Sequence, residues 1–237
     1  MKFLLCVALS TFVTLDSSFS AQPNIVLMMA DDQGWGDTSY NGHPELKTPH
    51  LDALAASGLR LDRFYTAHFN CSPTRASIMT GRHPARMGTF TPGSPIRAQE
   101  LTVAKVLQSA GYATGHFGKW HIGPDEKAGV YGFDVVRSVD ESGRKMIETT
   151  RGRDARIYDE AIRFIEQHKA GPFYLNIWSH ISHHKIAPPA SYVAEFKDLV
   201  VDESRFAEPM RQKFPSKTIL GRFERGARAP RERTPFK

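Results

Sequence analysis

The chain is poor in cysteine. Its 237 residues contain two, Cys6 and Cys71, and Cys6 falls in a stretch that reads as an export leader. Once that leader is removed a single thiol remains, which excludes an internal disulfide. Long apolar runs are also missing. None reaches the ~20 residues that span a bilayer, so stable membrane insertion is not expected. There is no internal repeat. Net charge is nearly absent from the body of the chain. The total is +6, but residues 201–237 alone hold ten Lys/Arg against five Asp/Glu. A basic tail on an otherwise balanced chain makes nucleic acid a weak expectation as partner.

Hydrophobic residues make up 41% and charged residues 24% of the chain, enough apolar material for one large domain or two small ones. The N-terminus has the layout of a cleaved leader. Lys2 supplies the positive charge, Phe3 to Val13 the short apolar stretch, and Ser18-Phe19-Ser20 a small-x-small site before Ala21. The expected division is a signal peptide over 1–20, a folded body over 21–213, and a basic, disordered or aberrant tail over 214–237. The expected location is outside the cytoplasm: periplasmic, secreted or lumenal.

Along the body, strand and helix patterns alternate. Asn24 to Ala30 (NIVLMMA) reads as a strand buried on both faces, with Asp31 and Asp32 at its C-terminal end. Thr48-Pro49 opens a helix over Pro49 to Ser57, with Leu51, Leu54 and Ala55 on one face and Gly58 as its stop. Leu59 to Thr66 reads as a strand. Pro73 suits the first turn of a helix running to about Thr80, closed by Gly81, with Cys71 at its N-terminus. Leu101 to Ala110 reads as a helix, Tyr112 to His116 as a short strand, Asp154 to His168 as a helix and Pro172 to Ser179 as a second buried strand. Such alternation predicts an α/β sheet with helices on both faces, and ligands at the C-terminal ends of its strands.

Several residues at those ends carry chemistry. Asp31 and Asp32 are adjacent carboxylates, which a hard divalent ion stabilises and which solvent alone also accommodates. Cys71 suits either a small buried site or a thiolate nucleophile favoured by a helix N-terminus and by Arg75 one turn on. Three residues separate Cys71 from Arg75, whereas a cysteine phosphatase loop needs five. Lys119 and His121 share one face of an extended segment, suiting an anionic substrate and proton transfer, or simply a surface. His180, His183 and His184 have spacing that zinc could use. With carboxylates at Asp31-Asp32, a single histidine proton donor is the more economical reading.

In this order the motifs resemble those of the sulfatase family, within the alkaline-phosphatase-like superfamily. Pro23 to Asp37 is similar to its opening strand and metal-binding acids. Cys71-Ser72-Pro73-Thr74-Arg75, continued by Ile78 to Arg82, is similar to its C-x-P-x-R signature. Gly111 to Gly123 (GYATGHFGKWHIG) is similar to its second signature, and Pro172 to His183 to the strand and loop that present a substrate-facing histidine. The resemblance implies a mixed sheet sandwiched by helices, incomplete at its C-terminal side. It implies hydrolysis of sulfate esters of small molecules or carbohydrates. It also implies that maturation machinery oxidises Cys71 to a formylglycine during export.

By the same resemblance Asp31, Asp32 and the modified Cys71 would bind calcium, with magnesium the second choice. Arg75 and Lys119 would hold charge on the nucleophile and the sulfate, His183 would protonate the leaving oxygen, and His121 would take a proton back. His183 matches best, with His180 and His184 as rivals. The family's Asp-Asn metal ligands, second lysine and smaller C-terminal domain have no counterpart in these 237 residues. Two further readings therefore stand beside the hydrolase: an inactive fragment of one, and a phosphodiesterase or phosphonate hydrolase of the same superfamily.

Overall fold

The structure is a computed structural model, and it describes residues 22–124, 129–138, 150–183, 188–200 and 202. The stretch read as a leader (1–20), the basic stretch 214–237 and His184 lie outside the described residues. The described strands are β1 (Ile25–Asp31), β2 (Ala113–Gly118), β3 (Val135–Arg137) and β4 (Phe173–Ser182). The α-helices are α1 (Pro49–Ser57), α2 (Cys71–Thr80), α3 (Pro84–Met87), α4 (Val103–Ser109), α5 (Ala155–His168) and α6 (Ala190–Ala194). The strands form one sheet in the order β1-β4-β2-β3, parallel at every pairing. The expected mixed sheet thus shows only parallel pairing among the described residues.

Two apolar layers hold this sheet. On one face α5 sets Ile157, Ala161 and Phe164 against Phe117 of β2 and Phe173, Leu175 and Ile177 of β4. On the other, Ala76 and Met79 of α2 and Ala104 of α4 pack with Trp120, Phe133, Tyr174 and Trp178. This is the two-sided cover that parallel strands require. β4 is buried from Phe173 to His180, as its unbroken apolar run predicts.

β1 departs from expectation. It lies at an edge of the sheet, and only alternate residues are covered. Ile25, Leu27 and Met29 join one layer, while Val26 and Met28 are 46% and 55% exposed. The reason is reach: α5 packs over β2 and β4, so the same face of β1 is left open. The strand expected over Leu59 to Thr66 is irregular instead, with Leu59, Phe64 and Tyr65 at least 80% exposed. A strand pattern is realised only where a ladder partner is available, and this segment pairs with none of the described strands. α1 forms over the expected residues, yet none of them is buried, since what lies against it is the short turn at Ser39–Asn41 rather than the sheet.

Two backbone details aim the sheet end. α2 closes at Gly81, whose left-handed φ of 67° lets its amide bond to the Ser77 carbonyl. β2 closes at Gly118, with φ 100°, where a Cβ would lie 2.1 Å from the Trp178 carbonyl oxygen. Only glycine allows that approach. It lets the Lys119 amide donate to the same oxygen at 2.8 Å, which turns the chain toward the strand ends.

His116 of β2 is fully buried and meets Asn176 of β4, ring Nδ1 to amide Nδ2, at 2.9 Å. Burial, with the nearby Arg75 charge, pushes its pKa from 6.5 down to about 3. A folded-state value below the unfolded one means stability that is whole above about pH 6.5 and lost as pH falls toward about 3. Urea unfolding at pH 7.5 and pH 4.5 should show the loss, and His116→Gln should flatten the difference. An equal pH dependence in both proteins would place the effect elsewhere.

Candidate active site

Three segments converge at the C-terminal ends of β1, β2 and β4. Asp31, the last residue of β1, is 4% exposed. Its Oδ1 accepts from Arg75 Nη2 of α2 at 3.1 Å, and its Oδ2 from Lys119 Nζ, just past β2, at 2.5 Å. Arg75 is 1% exposed, stacks over the Trp178 ring at 4.8 Å, and donates from Nη1 to the Lys119 carbonyl at 3.0 Å. The C-x-P-x-R segment and the Gly-Lys-Trp-His segment are therefore tied together through one guanidinium.

Cys71 is the first residue of α2, following Asn70 as the cap. Its Sγ lies 3.2 Å from His121 Nδ1. The contact is braced from below: Ser72 Oγ donates to the His121 carbonyl at 2.7 Å and accepts from the Gly93 amide at 2.6 Å. His183, just beyond β4, brings Nε2 to 3.7 Å from Asp32 Oδ2. The side-chain contacts thus join Asp31 with Arg75 and Lys119, pair Cys71 with His121, and pair Asp32 with His183. His180 is different: it is 2% exposed, and its Nδ1 meets Asp154 Oδ1 at 3.1 Å.

The only described non-glycine residues with positive φ are Asp32 at 61° and His121 at 60°. Such backbone is costly for residues other than glycine, and it persists where the surroundings over-determine it. Here both instances fall on candidate site residues. Burial alone would raise the Asp31 carboxyl. The hydrogen bond from Lys119 and the charges of Arg75 and Lys119 outweigh burial and hold the carboxyl below its ordinary value. Burial pulls Arg75 down against the opposing attraction of Asp31, from a reference high enough that it stays charged at neutral pH.

Among the described residues no group of three or more His, Cys, Asp or Glu side chains is arranged to hold a metal ion. The donor chemistry fits a hard divalent cation, since Asp31 and Asp32 are adjacent carboxylates. The donor count fits it only in part. Calcium takes roughly 6–8 oxygens, and both oxygens of Asp31 here meet cationic side chains.

Two contributors escaped the sequence reading. They are Ser72, a member of the C-x-P-x-R stretch to which no role was given, and Asp154, read only as the start of a helical pattern. The short side chain at 72 and the acid at the start of α5 were visible. Their partners were not: those of Ser72 lie on loops at Gly93 and His121, and those of Asp154 at the end of β4.

The sulfatase family model matches residues 23–214. This chain belongs to the sulfatase family. It is 50% identical over 108 residues to arylsulfatase A of Homo sapiens, which covers 43% of this chain and 21% of that protein. It is 34% identical over 202 residues to an arylsulfatase of Hemicentrotus pulcherrimus, covering 66% of this chain and 36% of the relative. A protein solved in complex with its substrate D-glucosamine-2-N,6-O-disulfate superposes with TM-score 0.65 at 27% identity, covering 76% of this chain and 38% of that one. The matched part thus spans well under half the length of these relatives. The sheet has the alkaline-phosphatase-like fold of the sulfatases. No helix among the described residues is long and apolar enough to cross a membrane.

Asp31 is the one carboxylate between two cations, Arg75 and Lys119, so removing it strands the deeply buried Arg75 charge in the core. Asp31→Asn is expected to destabilise the fold by about 3–5 kcal/mol, read from denaturant midpoints at pH 7. The double variant Arg75→Met/Asp31→Asn should recover part of that loss. A double variant no more stable than the single one would show that the pair is not the seat of the effect.

Proposed function

We propose that this chain carries the catalytic core of a sulfuric ester hydrolase, acting on sulfate esters of carbohydrates or aryl compounds. The observation that carries this reading is the meeting of Cys71, Arg75, Lys119 and His121 around the buried Asp31 carboxylate, at the ends of parallel strands. Family membership adds weight, as does the sulfated sugar that one structural relative takes as substrate. In this reading Cys71 becomes a formylglycine whose hydrate supplies the attacking oxygen, and a divalent cation, calcium before magnesium, adds positive charge beside it.

The chain's own residues supply the rest. Asp31 and Asp32 would hold the cation, together with the modified side chain at 71. Arg75 is fixed by Asp31, by the Lys119 carbonyl and by Trp178, so its charge faces position 71 at no further ordering cost. Lys119 holds its ammonium against the other Asp31 oxygen and would engage sulfate oxygens once released from it. His183 Nε2 would give its proton to the departing alcohol oxygen, and His121 Nδ1, already beside position 71, would accept one from the group there. Residues 1–20 as export leader, 21–213 as catalytic portion and 214–237 as basic tail complete the proposal.

Two measurements test it. The tryptic peptide Phe64–Arg75 from exported protein should carry an aldehyde at position 71 by mass spectrometry. Turnover of an aryl sulfate should be present in that material and absent from Cys71→Ala. An unmodified cysteine throughout would overturn the reading. Modified but inert protein would favour the non-catalytic fragment, and preference for a phosphate or phosphonate ester the related hydrolase.

A further inference from the structure

We propose that Asp154, assisted by Arg153, is a positioning residue that sets the placement of His183 in the site. The inference rests on the hydrolase reading for its chemistry, but on separate contacts for its geometry. Asp154 stands immediately before α5, where an acid ordinarily accepts hydrogen bonds from the amides of its own helix. Here it makes no side-chain cap bond. Its carboxylate reaches across to the end of β4 instead.

Oδ2 accepts from the His180 amide at 2.7 Å and from the Ile181 amide at 2.9 Å, while Oδ1 accepts from His180 Nδ1 at 3.1 Å. Both side chains are 2% exposed or less. Burial would raise the Asp154 carboxyl, but the His180 ring and the two amides outweigh it and keep it below its ordinary value. An ionised carboxylate therefore takes the Nδ1 proton of His180 as a hydrogen bond, which fixes that ring.

From there the contacts lead to His183. Its amide donates to the His180 carbonyl at 3.0 Å, and its own carbonyl accepts from Arg153 Nη1 at 3.0 Å. Two neighbouring residues at the start of α5 thus grip His180, Ile181 and His183. α5 is itself anchored in the layer beneath the sheet by Ile157, Ala161 and Phe164. The clamp therefore refers the position of His183 to the rigid core rather than to its own loop. A displacement of about 1 Å in a group that transfers a proton costs on the order of 100-fold in rate, so a residue that touches no substrate still governs the step.

The test uses the full chain with Asp154→Ala, Asp154→Asn and Arg153→Gln, and His183→Ala as reference. In Asp154→Ala, amide hydrogen exchange at His180 and Ile181 should rise at least about tenfold, with β2 unchanged. Asp154→Asn keeps an oxygen acceptor and should restore part of that protection. On an unactivated sugar or alkyl sulfate, kcat in the Asp154 and Arg153 variants should fall about 10–100-fold with little change in KM. On an aryl sulfate whose leaving group needs no proton, the fall should be far smaller, and His183→Ala should show the same contrast.

Unchanged exchange at His180 and Ile181 would overturn the clamp, as would equal losses on both esters. If Asp154→Ala does not fold, Asp154→Asn and Arg153→Gln carry the same comparison. If the parent chain hydrolyses neither ester, the hydrolase reading fails and the exchange measurement alone decides the clamp.

Discussion

One carboxylate organises the end of the sheet. Asp31 closes β1, and its two oxygens are held by a guanidinium from α2 and an ammonium from the turn after β2. Charges this deep are expensive to remove from water, and their mutual attraction offsets the cost only when geometry and partners are good. Here they are: Arg75 also finds a carbonyl and an indole face. The buried cluster still holds two cations against one anion. That surplus of positive charge suits a tetrahedral anion, and it sits where parallel sheets place their ligands.

The rest of the site depends on that tie. Arg75 fixes α2, so Cys71 at the head of the same helix has a defined place. The Lys119 carbonyl is bound to Arg75, so His121 two residues later is brought to the thiol. On the far side, Asp32 follows Asp31 in a left-handed conformation and turns toward His183. Strained backbone at Asp32 and His121 is tolerable because two packed layers and a buried ion pair hold what flanks them. The arrangement is thus rigid at its centre.

Much of this was legible in the sequence. Pro at the first helical position and Gly after the last fixed the bounds of α1, and Gly81 fixed the end of α2. The spacing of Cys71 to Arg75, one helical turn, and of Lys119 to His121 gave the site its two main segments. What failed were inferences that needed a neighbour. The apolar run of β1 does not say that α5 stops short of its outer face. The pattern at Leu59 to Thr66 does not say that no described strand lies beside it. Asp154 is visible only as the start of a helical pattern, because propensity is local and its partner His180 lies 26 positions away. Long-range hydrogen bonds leave no period or spacing to detect.

Gly118 has a consequence of another kind. One added carbon there would collide with the Trp178 carbonyl, and relief would come only by moving the chain that carries Lys119 and braces Arg75. A missense change at this uncharged, chemically silent codon would thus disturb two buried cations, Lys119 and Arg75, together. Screening such a gene by inspecting its reactive side chains alone would pass over the lesion.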